Sequence, residues 1–321
     1  SKGAATVALV AKEIEFGTLS LTRINADPCE INTDTSQLAG IDADLVVRPF
    51  GWKGNHATIR SFTRGAAHNE LGLQATELVG AQDGDYDGVI NELSVGDVTA
   101  LTLYMAALER PVSTVELAEI GIIDLTDVQS ADIAAGKHLF ATVGCSSCHV
   151  PSMTVANPIF SEPSRVAGYA DILFPDGSNP GSHGLGPETA IEFDMRLDPP
   201  NNQVLLKDGG VYHLGALETD AKGKGIARWY SDFKRHDMGP ALSDPSDPLG
   251  VGASVFLTRS LAGVGSTGPW LHDGRATTLE EAILAHGGEA TASRHAYAAM
   301  SDADAARIVS FLESLILFSA D

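Results

Sequence analysis

The sequence predicts a mainly α-helical protein with long connecting loops, and three observations lead to this prediction. Apolar residues recur at helical spacing in residues 98–110, 130–140 and 301–317. Strand-like alternation is limited to few and short segments. Residues 151–210 are rich in Pro, Gly, Asn and Ser, which interrupt regular elements and indicate loops. Hydrophobic residues make up 44% of the chain, so we expect a sizeable core rather than disorder.

The expected elements divide the chain into two parts. A helix is predicted from Val98 to Arg110, and Pro111 ends it because proline cannot continue a helix. The acidic stretch from Val115 to Asp127 is the predicted domain boundary. Residues 1–125 are therefore expected to form an α-rich partial domain, and residues 126–321 a second, helical domain with long loops.

The overall charge excludes some classes of partner. The 321 residues include 42 acidic and 21 basic side chains, which gives a net charge of -21. Such a surface repels nucleic acid and anionic membranes, and it suits a basic protein partner. No apolar run reaches the roughly 18 residues that a membrane span needs. The chain begins at Ser1 without a leader pattern, so we expect either a mature exported protein or a part of a longer one.

The three cysteines carry the most specific signal. Cys145 and Cys148 stand in the motif Cys-x-x-Cys-His, which ends at His149 and is typical of covalent c-type haem attachment. In that case both thiols form thioethers with the haem, and His149 becomes the proximal iron ligand. Half of a zinc site and a thioredoxin-type redox pair are the alternatives, but the sequence lacks the additional ligands or strand-to-helix pattern that they need. Cys29 stands alone and is expected to be an inert buried thiol or the partner of a cysteine on a missing segment.

The segments around this motif agree with haem attachment. Ser130 is the predicted start of a short amphipathic helix that leads toward Cys145. Near the C-terminus, Ser301 to Asp304 resembles a capping box, and the apolar stripe that follows runs to Leu317. Cytochrome c domains pack two such helices across each other, so residues 126–321 are expected to form a cytochrome c-like haem domain. Two ordinary core helices give the same pattern. Because covalent haem attachment takes place outside the cytoplasm, we expect a periplasmic or extracellular protein.

The sequence of an acidic loop predicts a second site, which would bind a metal ion. Residues 83–97 place oxygen ligands at the spacing of an EF-hand calcium loop, with Gly88 at the turn. The last position holds Ser94 instead of an acid, so Glu92 or Asp97 would have to substitute. A plain acidic turn is the alternative. The expected ligands are the side chains of Asp83, Asp85, Asp87 and Asn91 and the main-chain carbonyl of Val89.

Five segments in a shared order make the chain after residue 45 similar to the bacterial di-haem cytochrome c peroxidases and the related methylamine-utilisation di-haem enzymes. The closer resemblance is to the branch of di-haem putative peroxidases, also described as putative thiol oxidoreductases. The resemblance implies two haems, whereas this chain has one Cys-x-x-Cys-His motif. The second haem is therefore expected upstream or on a companion chain, or it has been lost. The five segments are Phe50-Gly51-Trp52-Lys53, Gly144 to Pro151, His236-Asp237-Met238-Gly239, Gly268 to Ala282, and His286-Gly287-Gly288-Glu289-Ala290.

The resemblance also implies a sixth ligand for the iron. In this superfamily that ligand lies fourteen residues after the histidine of a His-Asp-Gly segment, here His272, which gives His286. Thr278 and Glu281 predict a capping box that starts a helix ending near His286. A histidine that only complements the helix dipole is the alternative role, and Met238 is the competing ligand.

Further site residues follow from the resemblance. Trp52 resembles a tryptophan that stands between two haems, and Glu70 a distal glutamate that handles peroxide protons. Phe62 stands where the peroxidases have a glutamine, which weakens this correspondence. A core aromatic and a solvated glutamate are the alternatives. Three residues of the C-terminal part are expected beside the haem, either holding a loop or pairing with propionates, namely His272, Arg275 and Arg259.

These observations predict an exported c-type haem protein that moves electrons, the C-terminal haem part of a di-haem peroxidase-like oxidoreductase. Its expected partner is a redox protein, such as a small cytochrome or another electron carrier. The alternative is a non-catalytic electron-transfer or assembly subunit with one haem ligated by two histidines. Such an iron has no open position for peroxide.

Overall fold

The computed structural model combines helices and strands, with 32% of residues helical and 22% in strands. The prediction of a mainly α, cytochrome c-like fold is therefore wrong, and the protein is a mixed α and β structure with long loops. Ser1 lies outside the described part of the chain. The structure describes residues 3–26, 28–169, 174–198, 201–206 and 208–317.

Most of the strands are very short, which explains why the sequence shows no strand period for them. After the third strand each has two to four residues, too few for a recognisable alternation. Within the described ranges, no helix is both long and apolar enough to cross a membrane. The helices are α1 (Ile59–Leu71), α2 (Thr76–Val79), α3 (Val95–Ala106), α4 (Thr114–Glu119), α5 (Asp127–Thr142), α6 (Leu279–Ala285), α7 (Thr291–Ala298) and α8 (Asp302–Glu313). The strands are β1 (Ala4–Ala11), β2 (Ile14–Ala26), β3 (Cys29–Leu38), β4 (Val112–Ser113), β5 (Met153–Val155), β6 (Ile159–Glu162), β7 (Ile191–Asp194), β8 (Gln203–Leu205), β9 (Val211–His213), β10 (Glu218–Thr219), β11 (Gly225–Ala227), β12 (Arg235–Asp237), β13 (Val255–Leu257) and β14 (Leu315–Ile316).

The first 38 residues contain the largest departure from the predicted α-rich N-terminal part. β1, β2 and β3 form an antiparallel sheet in that order. Lys12 and Glu13 connect β1 to β2 with φ angles of 51° and 70°, the backbone that a two-residue hairpin turn requires. Ile14 and Phe16 alternate with polar neighbours on β2 and are buried with Met153. This period of two is the signature of a strand with one covered face.

The chain folds into two compact units that interleave along the sequence. The first unit comprises Ser1–Val47, Pro111–Val155 and Ile226–Asp321, and the second comprises Arg48–Arg110 and Ala156–Gly225. The Cys-x-x-Cys-His motif lies in the first unit and the acidic loop in the second. The domain boundary near residue 125 stays a prediction.

The core of the first unit forms where α5 packs against α8. Gly136 has no side chain and lets α5 approach the carbonyl oxygen of Arg307 on α8. Phe140 and Phe311 meet edge to face beside this contact, with ring centres 5.3 Å apart. The predicted packing of the helix before Cys145 against the C-terminal helix is therefore present. The buried cluster consists of Phe140, Tyr230, Val264, Leu279, Tyr297, Ile308, Phe311, Leu312 and Leu315.

Local capping decides where the helices of this core begin. Ser301 is the N-cap of α8, as predicted, and its hydroxyl accepts a hydrogen bond from the backbone N–H of Asp304 at 3.2 Å. α5 begins three residues before the predicted Ser130, because Thr126 and Gln129 form a full capping box.

The second unit is held by a buried ionic network that the sequence did not indicate. Arg60 on α1 is 2% exposed and forms ion pairs with Glu77 on α2 and with Glu162 on β6, the latter at 2.9 Å. Its guanidinium also donates to the hydroxyl of Thr99 on α3 at 2.9 Å, and Arg64 pairs with Glu77 at 2.9 Å. Buried charges are tolerated only when they are paired and hydrogen-bonded in this way. The network joins three helices and a strand.

Candidate functional site

The Cys-x-x-Cys-His motif forms a single tight turn at the end of α5. Gly144 has a φ of 92°, a conformation open mainly to glycine, and it reverses the chain after the helix. One 3-10 turn follows over Cys145–Ser147, and the backbone N–H of His149 donates to the carbonyl of Cys145 at 2.9 Å. Both motif thiols and the imidazole thereby belong to one compact turn.

The two motif cysteines are free thiols in partly buried positions. Cys145 packs against the buried cluster between α5 and α8, and burial raises the pKa of its thiol to about 11. Cys148 lies near His236 and Asp232, and one potential ligand atom of each lies within 4.8 Å of the others. Cys29, predicted to be buried, is exposed on β3.

The side chain of His149 is held in one orientation by the backbone. Its Nδ1 lies 3.0 Å from the carbonyl oxygen of Tyr230, to which it donates a hydrogen bond. Burial, reinforced by the neighbouring His286, lowers the pKa of His149 to about 4. The ring is therefore neutral, with its proton on Nδ1 and the lone pair of Nε2 available. This is the form in which histidine binds a metal.

His286 has the same arrangement at the end of a different helix. Thr278 and Glu281 form the predicted capping box that starts α6, and His286 is its C-cap residue. The Nδ1 of His286 donates to the carbonyl of Ala282 at 2.7 Å, and burial lowers the pKa of this imidazole as well. A second neutral imidazole thus has its Nδ1 occupied and its Nε2 available.

The distance between these two rings fits a shared iron atom. Their centres are 6.5 Å apart and their planes are inclined by 58°. A metal–imidazole bond of about 2 Å places each ring centre about 3 Å from the metal, so two opposed ligands have centres about 6 Å apart. The surroundings also suit a haem, because Cys145 and Ile283 adjoin the apolar cluster. The buried hydroxyl of Tyr297 in that cluster has no hydrogen-bond partner and suits a polar group of a cofactor.

Met238 lies beside the turn that follows His286. A side chain on Gly287 would come within 2.8 Å of the Met238 carbonyl oxygen, so the two backbones touch. The backbone N–H of Met238 donates to Ser254 at 2.8 Å. Met238 therefore stays the competing ligand.

His236 forms a charged cluster that the sequence did not identify as part of a site. Its Nε2 lies 2.9 Å from Asp232, and its Nδ1 lies 2.8 Å from Glu289. Chiefly through the hydrogen bond with Asp232, the pKa of His236 is raised to about 11. Both His236 and Glu289 belong to segments that carried the family resemblance, which is the signal that could have found them.

The other residues predicted beside the haem have partners of their own. His272 packs its ring on Phe256, with ring centres 4.7 Å apart. Arg275 pairs with Asp273 at 2.6 Å and donates to the carbonyl of Ala241 at 2.8 Å. Arg259 is exposed at the end of β13. None of these contacts tests the predicted propionate pairing.

The predicted peroxide residues lie in the second unit. Trp52 is 47% exposed, and Glu70 is exposed in the last turn of α1. Phe62 stacks on Phe50 with ring centres 5.6 Å apart and also contacts the ring of His56.

The acidic loop of the second unit brings three carboxylates together. One oxygen each of Asp83, Asp85 and Asp87 lies within 4.8 Å of the others. The Oδ1 atom of Asp83 is buried without a hydrogen-bond donor. Asp97, expected to complete the loop, instead forms the capping box of α3 with Ser94.

A comparison with known families matches a C-terminal segment of the chain. Residues 211–315 match the family model described as di-haem oxidoreductase, putative peroxidase. The matched segment contains His236, His272 and His286, so the resemblance inferred from the sequence is confirmed. No curated protein matches the chain.

Proposed function

We propose that this chain binds one haem covalently through Cys145 and Cys148, with His149 and His286 as axial ligands. The observation that carries the proposal is the 6.5 Å spacing of two buried, neutral imidazoles beside the Cys-x-x-Cys-His turn. The family match supports a haem cofactor independently, because its segment contains His286 but begins after the cysteine motif.

The protein's own groups would orient both ligands. The carbonyls of Tyr230 and Ala282 accept from the two Nδ1 atoms, which fixes the ring orientations and raises the basicity of the ligating nitrogens. The bound haem supplies one-electron chemistry, and two nitrogen ligands favour a lower reduction potential than a histidine–methionine pair. With both axial positions taken by the chain, this haem is suited to electron transfer.

We extend the proposal to a di-haem oxidoreductase in which a second haem carries the reaction with peroxide. Glu70 would move protons there, and Trp52 would serve the electron path. Proton transfer by a positioned carboxylate is the step that peroxide cleavage requires. The proposed donor is a small cytochrome or a similar electron carrier, and the net charge of -21 favours a basic one. Covalent haem attachment implies export to the periplasm or the cell surface.

A non-catalytic electron-transfer or assembly subunit is the second candidate. The observation that favours it is the 6.5 Å spacing of the His149 and His286 rings, because two histidine ligands would leave the iron without an open position. The haem content of the native assembly separates the two, because a two-haem enzyme contains one haem more than this chain.

We also propose a calcium ion in the acidic loop. Asp83, Asp85 and Asp87 would supply carboxylate oxygens. The buried Oδ1 of Asp83 accepts no hydrogen bond, so a bound cation would stabilise it most. The Val89 carbonyl and the Asn91 side chain are the further ligands of the proposal. With Asp97 used by the α3 cap, Glu92 or water would supply the remaining positions.

Covalent attachment is tested on the exported protein after acid and organic extraction. We expect one haem to remain per chain, with the pyridine haemochrome spectrum of two thioether bonds. The Cys145→Ala, Cys148→Ala double variant should lose it, whereas Cys29→Ala should keep it. Haem that extracts freely from the unsubstituted protein would refute the proposal.

A further inference from the structure

The turn that follows His286 is fastened to the segment 236–239 by one side chain. The carboxylate of Glu289 accepts from His236 Nδ1 at 2.8 Å through one oxygen and from the backbone N–H of Asp237 at 2.9 Å through the other. A two-point attachment fixes both the position and the orientation of the turn.

The backbones at this junction touch directly. Gly288 has a φ of 50°, and a side chain there would lie 2.0 Å from the carbonyl oxygen of Asp237. A side chain on Gly239 would lie 2.8 Å from the backbone nitrogen of Gly288. Glycine at these positions permits the close contact, but it also leaves the turn without side chains that could hold it. Glu289 supplies the side-chain hold.

The other nitrogen of His236 leads toward His149. Nε2 of His236 lies 2.9 Å from the carboxylate of Asp232, which is 4% exposed. Asp232 stands two residues after Tyr230, whose carbonyl orients His149. Carboxylates only accept hydrogen bonds, so the ring of His236 carries both protons and joins the two segments as a cation between two anions.

We infer that His236 and Glu289 are positioning residues that hold His286 at the correct distance from His149. This inference rests on the proposed function, since it takes both histidines as ligands of one iron. Neither residue would bind the iron; they would act through the turn and through Asp232. We call the side chains of His236 and Glu289 the clamp. Without it, the Gly287–Gly288 turn would gain conformational freedom, and His286 would dissociate from the iron in a fraction of the molecules.

The test uses the haem-loaded full chain and reads the spin state by visible absorption and electron paramagnetic resonance, together with the reduction potential. In Glu289→Ala we expect a high-spin fraction that the unsubstituted protein lacks, and a shifted potential. Glu289→Gln keeps the length of the side chain: its Oε1 can accept from Asp237 N–H, and its Nε2 can donate to His236 Nδ1 once that ring is neutral. It should therefore restore the low-spin state. Glu280→Ala removes an exposed carboxylate of the neighbouring helix α6 and should change neither readout.

The His286→Ala variant distinguishes failure of the proposed function from failure of this inference. If that variant stays low-spin, His286 is not the ligand, and the proposed function fails together with the clamp's role. If His286→Ala turns high-spin while Glu289→Ala keeps an unaltered spectrum and potential, the inference alone is overturned. Should Glu289→Ala fail to accumulate, Glu289→Asp takes its place, because it keeps the charge but is one methylene too short to reach both partners. An unaltered spectrum and potential in that variant would equally overturn the inference.

Discussion

Gly136 on α5 lies so close to Arg307 on α8 that a methyl group on Gly136 would come within 1.8 Å of the Arg307 carbonyl oxygen. The contact is between two backbones, which cannot move aside as a flexible side chain can. The position of α5, the helix that leads to the cysteine motif, thus depends on residue 136 being a glycine.

We expect Gly136→Ala to lower the free energy of unfolding by about 1–3 kcal/mol or more, because the two helices must separate. Chemical denaturation measures this change. Gly96→Ala in α3 is the matched control, since its new methyl would meet only Ser94 at 3.6 Å. The control should stabilise by up to about 1 kcal/mol through helix propensity. Equal losses in both variants would contradict the close packing.

The sixth-ligand proposal predicts that His286→Ala converts the haem from low-spin to high-spin. His286→Met should instead raise the reduction potential, because methionine ligation favours the reduced iron. Absorption spectroscopy and a redox titration record the two effects. Met238→Ala should leave the spectrum unaltered, and a reversed pattern would assign the ligand to Met238.

The buried network of the second unit predicts a large stability loss for Glu77→Gln. The side chain of Glu77 is fully buried between Arg60 and Arg64, so its neutralisation leaves two guanidinium groups undercompensated. The expected loss is about 3–5 kcal/mol in the free energy of unfolding. Glu192→Gln breaks the exposed pair with Arg165 and should lose less than about 1 kcal/mol. Comparable losses in the two variants would show that burial does not determine how much an ion pair contributes to the free energy of unfolding.

The calcium proposal predicts that chelation lowers the melting temperature. A bound ion stabilises the folded state by mass action, by about 2.7 kcal/mol when its concentration is 100 times its Kd. In Asp85→Ala, a chelator should lower the melting temperature much less. Scanning calorimetry measures this temperature. Asp176→Ala removes an exposed acid outside the cluster and should respond like the unsubstituted chain. An equal response in all three proteins would leave the loop an ordinary acidic turn.

The catalytic proposal predicts negligible peroxidase turnover by the one-haem chain, because both axial positions of its iron are taken. In a two-haem assembly, Glu70→Gln should lower turnover by about 10²-fold or more, the contribution of a positioned acid–base group. The low-spin spectrum of the Cys145/Cys148 haem should stay the same. Turnover by the one-haem chain that is insensitive to Glu70→Gln would instead point to an open position at His286.

The sequence by itself determined the features that depend on a few neighbouring residues. The Cys-x-x-Cys-His turn, the Thr278–Glu281 capping box and the Ser301 cap each form between groups no more than four residues apart. The fourteen-residue spacing from His272 to His286 was likewise readable, although only through resemblance to a family.

Only the tertiary structure decided what surrounds these local features. Tyr230 lies 81 residues from His149, and Glu289 lies 53 residues from His236, so no local pattern could pair them. The strands after β3 were equally hidden, because strands of two to four residues are stabilised by their neighbours in space rather than by their own sequence. Local hydrogen bonds are encoded by adjacent residues, whereas contacts between distant segments depend on how the whole chain packs.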